Sequence, residues 1–200
     1  HASTVGVLDI LPSFSGLLLA KEVKYLTSLR DAAKHPFLMI IGGAKIVDKL
    51  PIINALMTKV DIFLVGGAVA NTFLKANGEN IKQSLVDDQN IEIAREIIEK
   101  LGDRLILPVD YIWDGDGVAD IGPKTIMLFE DRLTDAETVL WNGNLGKTED
   151  RQFSRGSLLI ADFLARLTEK TRVIAGGDTA SFVRKHNLAE KMTFVSTGGG

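Results

Sequence analysis

The stretch that decides the fold is FLMIIGGAKIVDK, residues 37–49. Five apolar residues, Phe37–Ile41, run directly into Gly42 and Gly43, and Lys45 and Lys49 follow four positions apart. A short, continuous apolar run is typical of a strand that is buried on both faces of a parallel sheet. Because permissive backbone and positive charge follow this strand at once, the stretch predicts a strand that ends at a binding site for an anion.

The pattern of an apolar strand, a glycine and a helix recurs along the chain. Further strands are predicted over 61–65, 104–109, 138–141, 172–174 and 193–195, and helices over 16–34, 44–59, 68–76, 88–101, 122–132, 154–167 and 178–186, with a loop or short strands over 112–122. Strands that alternate with helices imply parallel strands joined by crossovers. The predicted fold is therefore a three-layer, doubly wound α/β domain with a mainly parallel, Rossmann-like sheet.

Composition and charge exclude several classes of protein. The chain has 200 residues, of which 46% are hydrophobic and 24% charged, values that are ordinary for a folded domain. The net charge of −3 does not favour a nucleic-acid or anionic-membrane partner, and the absence of cysteine excludes disulfides and thiolate metal sites. No apolar run approaches the roughly 20 residues of a membrane helix, and no secretory signal is present. We therefore expect a cytoplasmic protein.

Glycine stands at the end of five predicted strands: Gly42-Gly43, Gly66-Gly67, Gly143, Gly176-Gly177 and Gly198-Gly199-Gly200. In a parallel sheet all these ends lie along one edge, where ligands of such folds bind. Glycine allows backbone to approach a ligand, and the helix that follows offers N–H groups to an anion. For any single loop a tight turn is sufficient explanation, but five such loops favour a ligand that carries phosphate.

Two further features have both a structural and a functional interpretation. If a helix begins near Ala44, Lys45 and Lys49 lie on one face of its first turn. The helix dipole disfavours positive charge there unless a polyanion binds. The alternative is that both lysines are solvated and that Asp48 screens the charge of Lys49. Asp178, at a predicted helix start, is explained by an N-cap, which the motif alone favours, or by a carboxylate near Mg²⁺.

One motif, WNGNLGKTE over residues 141–149, is similar to the end of a P-loop but does not match it. A P-loop needs glycine five positions before Gly146, and Trp141 stands there. The dinucleotide pattern G-x-G-x-x-G is also missing at every strand end, and no G-x-S-x-G elbow occurs. The sequence thus excludes a P-loop ATPase.

Six motifs in order, GGAKIVDK, LVGGAVANTFLKANG, DIGPKTI, VLWNGNLG, IAGGDTASFV and FVSTGGG, closely resemble the phosphoglycerate kinase family. The resemblance runs through essentially the whole chain. In that family an N-terminal domain holds phosphoglycerate and a C-terminal domain holds the nucleotide. The resemblance implies that residues 1–15 are the end of the acceptor domain and the linker. It implies that residues 16–200 are the nucleotide-binding domain, beginning with the interdomain helix, and that the chain is a fragment cut at both ends.

The resemblance also implies roles for particular residues. Lys49 would stabilise the transferring group, and Gly198 and Gly199 would open a helix whose N–H groups face the phosphoryl group. Asp178 would hold Mg²⁺. The residues implied to contact the nucleotide are Gly43, Ala44, Lys45, Lys49 and Asn142 at the phosphates, Gly66 and Gly67 at adenine, Glu149 at the ribose, and Gly176, Gly177, Asp178 and Thr179 beside the metal.

Three residues depart from the family pattern. Asn144 stands where proline is usual, Thr148 where an aromatic residue is common, and Ala175 where glycine is common. Asn144 and Thr148 lie in the loop between Asn142 and Glu149. Lys147 adds a positive charge to that loop.

The function implied by the resemblance is reversible phosphoryl transfer between 1,3-bisphosphoglycerate and MgADP, giving 3-phosphoglycerate and MgATP in glycolysis. We expect a monomer that binds adenine nucleotide with Mg²⁺, and a fragment that lacks turnover because the acceptor domain is missing. The alternatives are an isolated nucleotide-binding module and a sensor of a small anion, which would not select adenine nucleotides.

Overall fold

The computed structural model describes residues 6, 10–12 and 14–196. The chain divides into two compact units, the first of which ends at Ala33 while the second begins at Lys34. The first unit contains helix α1, Leu17–Ala32, so the helix predicted over 16–34 is confirmed. In the part of the chain that is described, no helix is long and apolar enough to cross a membrane.

The second unit is built on a six-stranded sheet in the order β3-β2-β1-β6-β7-β8. Every pair of neighbouring strands in this sheet is parallel. The strands are β1 Phe37–Ile41, β2 Ile62–Val65, β3 Leu105–Ile106, β6 Thr138–Asn142, β7 Thr171–Ala175 and β8 Phe194–Val195. Strand order reverses between β1 and β6, which places the loops after these two strands at the switch point of the sheet.

Residues 112–122, predicted as a loop or short strands, contribute to a separate antiparallel hairpin. It consists of β4 Tyr111–Asp114 and β5 Gly117–Ile121. The strand predicted over 104–109 is shorter than expected and ends at Ile106. Pro108 follows, and proline cannot donate a hydrogen bond to a neighbouring strand.

In the second unit, as far as it is described to residue 196, six α-helices connect the strands: α2 Leu50–Leu56, α3 Gly67–Ala76, α4 Ile91–Leu101, α5 Pro123–Thr134, α6 Arg155–Arg166 and α7 Gly177–Lys185. The prediction of a helix beginning near Ala44 is wrong. The loop after β1 first makes a tight turn, in which the Lys49 N–H donates to the Ile46 carbonyl at 2.8 Å. Pro51 then lies in the first turn of α2, where its missing N–H has no cost.

The core lies on both faces of strand β1, whose five residues are all 0–1% exposed. Leu38 and Ile40 belong to a buried cluster with residues of α5, α6 and α7, among them Phe129 and Leu164. Since side chains alternate along a strand, Phe37, Met39 and Ile41 are buried on the opposite face. The prediction of a doubly wound α/β domain with a mainly parallel sheet is confirmed.

Candidate functional site

A cleft of about 370 Å³ opens where the loops after β1, β2, β6 and β7 meet. Each of the four loops contributes to the lining of the cleft, in chain order through Gly43, Gly67, Gly143 and Asp178. Helix α3 and the β4–β5 hairpin complete its walls. The cleft therefore lies at the carboxyl ends of the parallel strands, at the reversal of strand order.

The glycines at the centre of this edge are required because the loops pack directly on one another. A Cβ atom at Gly67, whose φ is +61°, would lie 2.7 Å from the Asn144 carbonyl oxygen, and one at Gly143 would overlap the Gly42 carbonyl. Hydrogen bonds join the same loops, since the Gly43 N–H donates to the Asn144 carbonyl at 2.8 Å. At these positions glycine allows loop to approach loop, a structural reason that stands beside the prediction that it brings backbone to a ligand.

Gly66 lies beneath the same packed centre, because a Cβ there would be 2.6 Å from a methyl carbon of Leu145. It does not line the cleft, whereas the neighbouring Gly67 does.

The loop after β7 is open by contrast. A Cβ at Gly177 would meet no atom within 4 Å, and the first helical hydrogen bond of α7 runs from the Ala180 N–H to the Gly176 carbonyl at 2.9 Å. The N–H groups of the first helical turn have no partner within the helix and are available to an anion.

Asp178 is not the N-cap of α7, so the interpretation that the motif alone favoured is wrong. Gly176 holds the cap position, with φ of +91°, and no side chain caps the helix there. Asp178 is an exposed residue of the first turn whose carboxylate lines the cleft. Because it makes no capping bond, its carboxylate is available to a ligand or a cation.

Lys49, which lines the cleft, forms a polar pair with Asn142 directly behind it. The Lys49 Nζ donates to Asn142 Oδ1 at 2.5 Å, although the two residues are 93 positions apart in the sequence. Burial lowers the pKa of Lys49, and the nearby carboxylates of Asp48 and Asp178 oppose that shift. A bound polyanion would favour the charged ammonium in the same way.

Asn142 retains an unused donor. Its side chain is 1% exposed, and Nδ2 has no hydrogen-bond partner within the described chain. This nitrogen lies next to the loop after β7, since a Cβ at Gly176 would be 3.1 Å from it. A buried donor without an acceptor is unusual in a folded protein, and a ligand oxygen would satisfy it.

Side-chain contacts hold the loop after β6 together and join it to the hairpin. Asn144 Nδ2 donates to Thr148 Oγ1 at 2.6 Å, and Lys147 Nζ forms an ion pair with Asp114 Oδ2 on the hairpin at 2.8 Å. Lys147 thus ties the loop to the β4–β5 hairpin, while Glu149 lies exposed in the cleft lining.

Asp120 is a residue of the site that sequence reasoning missed. Its carboxylate is 2% exposed and accepts hydrogen bonds from the N–H groups of Gly156, at 2.7 Å, and Ile121, at 2.9 Å. Burial raises its pKa to about 6, against the effect of these backbone donors. The available signal was the DIGPKTI motif, in which an aspartate precedes an apolar residue and a glycine.

Asn71 was also missed. It lies on α3 among buried residues, is 1% exposed and lines the cleft. The signal was a pair of polar residues, Asn71 and Thr72, between the apolar residues Ala70 and Phe73 of a predicted helix.

The structure therefore brings together only part of the predicted set. Gly43, Ala44, Lys49, Gly67, Glu149 and Asp178 line one cleft. Asn142, Gly176 and Thr179 lie directly behind it, with Thr179 Oγ1 accepting from the Gly143 N–H at 2.8 Å. Lys45 is exposed and is not part of the lining, and Gly198 and Gly199 fall outside the described residues.

A parallel α/β domain whose switch-point cleft holds a half-buried lysine and an open helix N-terminus has the geometry typical of proteins that bind anionic small molecules. The comparison with protein families makes this specific. The model of the family "Phosphoglycerate kinase" matches residues 1–200, and this chain belongs to that family.

Curated relatives agree with this assignment. The phosphoglycerate kinase of Latilactobacillus sakei subsp. sakei (strain 23K) is 42% identical over 223 residues, and that of Lactobacillus delbrueckii subsp. lactis is 40% identical over 223 residues. Each alignment covers 100% of this chain and 55% of the relative. The chain thus spans about half the length of the curated relatives it matches.

Solved structures agree as well. The phosphoglycerate kinase of Coxiella burnetii superposes with a TM-score of 0.85 at 32% identity, over 92% of this chain and 53% of that one. The enzyme of Pyrococcus horikoshii OT3 gives a TM-score of 0.84 at 25% identity, over 98% of this chain and 55% of the other.

Proposed function

We propose that this chain is the nucleotide-binding half of a phosphoglycerate kinase. In this proposal the longer protein transfers a phosphoryl group reversibly between 1,3-bisphosphoglycerate and MgADP, giving 3-phosphoglycerate and MgATP. The observation that carries the proposal is the Lys49–Asn142 pair, in which a half-buried ammonium lies beside a buried amide donor that has no acceptor among the described residues. Phosphate oxygens would satisfy both groups.

The open end of α7 supports placement of the phosphate chain at this pair. First-turn N–H groups from Gly177 onward carry the positive end of the helix dipole, which favours an anion. The remaining predicted contacts, with Gly43 and Ala44 at the phosphates, Gly67 at the base and Glu149 at the ribose, are consistent with their positions in one cleft lining. The apolar wall that Leu85 and Val118 contribute to this cleft is suited to a planar base.

Mg²⁺ fits the site as a partner of the nucleotide rather than as a resident ion. Among the described residues no cluster of three or more His, Cys, Asp or Glu side chains could hold a metal by itself. Mg²⁺ is commonly bound by one or two carboxylates together with water and phosphate oxygens. Asp178 is the proposed ligand, and the bound ion would neutralise phosphate charge.

In the proposed mechanism the protein supplies alignment and charge neutralisation without a covalent intermediate. Lys49 would donate to the transferring phosphoryl group as negative charge develops on its oxygens, while Asn142 holds the ammonium in place. The acceptor carboxylate would be bound by the part of the longer protein that this chain does not contain. Closure of the two parts would exclude the water that otherwise hydrolyses an acyl phosphate.

The chain alone is proposed to bind nucleotide without turnover, because it covers 55% of its curated relatives. Incubation with MgATP and 3-phosphoglycerate should give no transfer, and detectable ADP formation that depends on 3-phosphoglycerate would contradict this statement.

Calorimetric titration with MgADP tests the nucleotide site. Lys49→Ala should weaken binding by about 1–3 kcal/mol, because it removes a charge-assisted hydrogen bond to phosphate. Lys100→Ala is the matched control, since Lys100 is an exposed lysine on α4 that pairs only with Glu96 among the contacts described, and it should bind as the wild type does. If the folded chain does not bind MgADP, or if the two variants bind equally, the proposed site is wrong.

A further inference from the structure

The loop after β6 brings Glu149 to the lining of the cleft on a turn that has few contacts of its own. Backbone hydrogen bonds fix the loop as far as Lys147. The Asn144 carbonyl accepts from the Gly43 N–H at 2.8 Å, and the Lys147 N–H donates to the Ala119 carbonyl at 2.8 Å. Glu149 is exposed and makes no hydrogen bond or ion pair with any residue in the described part of the chain. Its position therefore depends on the turn that carries it.

One side-chain hydrogen bond reaches from the fixed part of the loop to this turn, residues 148–150. Asn144 Nδ2 donates to Thr148 Oγ1 at 2.6 Å, and Thr148 is the residue directly before Glu149. The N–H groups of Thr148 and Asp150 donate only to carbonyls of residues 146 and 147, at 3.0 and 3.1 Å. These backbone bonds shape the turn locally, whereas the Asn144–Thr148 bond sets its direction relative to the rest of the loop.

Stability alone does not account for the amide of Asn144. Its Oδ1 is closed to water and has no hydrogen-bond partner among the residues described. Exchanging the two amide atoms would let the Thr148 hydroxyl donate to the oxygen but would leave the nitrogen unpaired, so the pair has one hydrogen bond in either orientation. A buried polar atom without a partner lowers the stability of the fold.

We infer that the Asn144–Thr148 hydrogen bond holds the turn so that the Glu149 carboxylate is directed into the cleft, which makes Asn144 and Thr148 positioning residues for the sugar of the nucleotide. The inference rests on the proposed function, in which Glu149 accepts from the ribose hydroxyls. A long, exposed side chain loses much conformational freedom when a ligand binds. Fixing the backbone that carries it before binding reduces this loss.

The alternative is that the Asn144–Thr148 bond only stabilises the loop. In that case its removal would weaken the binding of every nucleotide by the same factor. If the bond positions Glu149, its removal should weaken only the part of the affinity that the ribose hydroxyls provide. The ratio of the affinities for ADP and for 2′,3′-dideoxyadenosine diphosphate, both with Mg²⁺, separates the two cases, because the second ligand keeps the base and the phosphates but lacks both hydroxyls.

The experiment is calorimetric titration of the wild-type chain, Asn144→Ala and Thr148→Val with these two ligands. The wild type should bind MgADP about tenfold more tightly than the dideoxy nucleotide, and each variant should reduce that ratio about threefold. Thr148→Ser keeps the hydroxyl and should restore the wild-type ratio. Thr134→Val is the matched control, because the Thr134 hydroxyl donates to the Glu130 carbonyl at 2.9 Å at an exposed position outside the cleft lining. It should leave the ratio unchanged.

A second set of variants tests whether Asn144 acts through Glu149. Glu149→Ala should itself reduce the ratio, and adding Asn144→Ala should reduce it no further, since two residues that act through one contact are not additive. A further reduction in the double variant would mean that Asn144 acts on the ligand independently of Glu149, and it would overturn the inference.

The remaining outcomes separate the inference from the proposed function. A wild-type ratio in either folded variant, Asn144→Ala or Thr148→Val, overturns the inference and leaves the nucleotide site standing. Equal binding of the two nucleotides by the wild type does the same. If the folded wild type does not bind MgADP, the proposed function fails, and the inference fails with it.

Discussion

The loops at the centre of the sheet edge and the loop after β7 contain the same residue, glycine, for different physical reasons. At Gly42, Gly67 and Gly143 a side chain would collide with backbone of a neighbouring loop, whereas at Gly177 it would meet no atom within 4 Å. The central glycines are therefore part of the folded framework. The glycine after β7 borders open space beside the cleft, so strand-end glycines cannot all be interpreted in one way.

The strongest test of this comparison is Gly143→Ala. Gly143 has φ of +98°, and a Cβ there would overlap the Gly42 carbonyl and lie 2.9 Å from the Gly43 nitrogen. Backbone strain and overpacking act together, so we expect a loss of about 3 kcal/mol or more in the free energy of unfolding. Urea denaturation measures it, and a loss below about 1 kcal/mol would show that the loops can separate at little cost.

Asp120 links the packed centre to helix α6, and its titration provides the second test. Gly146 of the β6 loop packs against the Asp120 carboxylate, which also accepts from the Gly156 N–H at the start of α6. Since burial raises the folded-state pKa from 3.8 to about 6, the folded state binds a proton that the unfolded state releases between these values. Stability should therefore fall as pH rises through this window, by up to about 3 kcal/mol.

The comparison with Asp120→Asn isolates this contribution, because asparagine does not titrate. The difference in unfolding free energy, wild type minus variant, should decrease between pH 4 and pH 7. Parallel profiles would mean that the backbone donors of α6 compensate fully for burial. A difference that instead increases with pH would mean that they outweigh it and hold the carboxylate ionised.

Much of the framework could be predicted from local sequence. The run Phe37–Ile41 predicted a buried strand and the repeating pattern predicted the parallel sheet, because burial on both faces leaves a continuous apolar segment. Helix starts after glycine loops could not be placed as well. Pro51 was the local signal for a helix that begins at Leu50, because proline is favoured in the first turn of a helix and disrupts its interior. That signal was overlooked, so Lys45 was grouped with Lys49.

The site could be predicted only where chemistry is visible in single residues. Lys49 was found because lysine is conspicuous near a helix start, but its partner Asn142 is 93 residues away and pairs with it only in the folded chain. Asn71 was overlooked because an asparagine in a helix is ordinarily a surface residue. Its amide donates to the Leu85 carbonyl, and the neighbouring Ser84 accepts from β5 at Val118, contacts that no local pattern connects to α3.

Gly177→Ala has the smallest expected effect on stability and on nucleotide affinity, and it tests the open loop after β7 most directly. With no atom within 4 Å of the added methyl group, stability should be unchanged or slightly higher, since alanine loses less conformational entropy on folding. If phosphate occupies this space, MgADP affinity should fall by about 1 kcal/mol, roughly fivefold. Gly16→Ala is the matched control, because Gly16 is equally open at the start of α1. A nucleotide affinity that is the same in both variants would show that the open space at Gly177 is not where the phosphates bind.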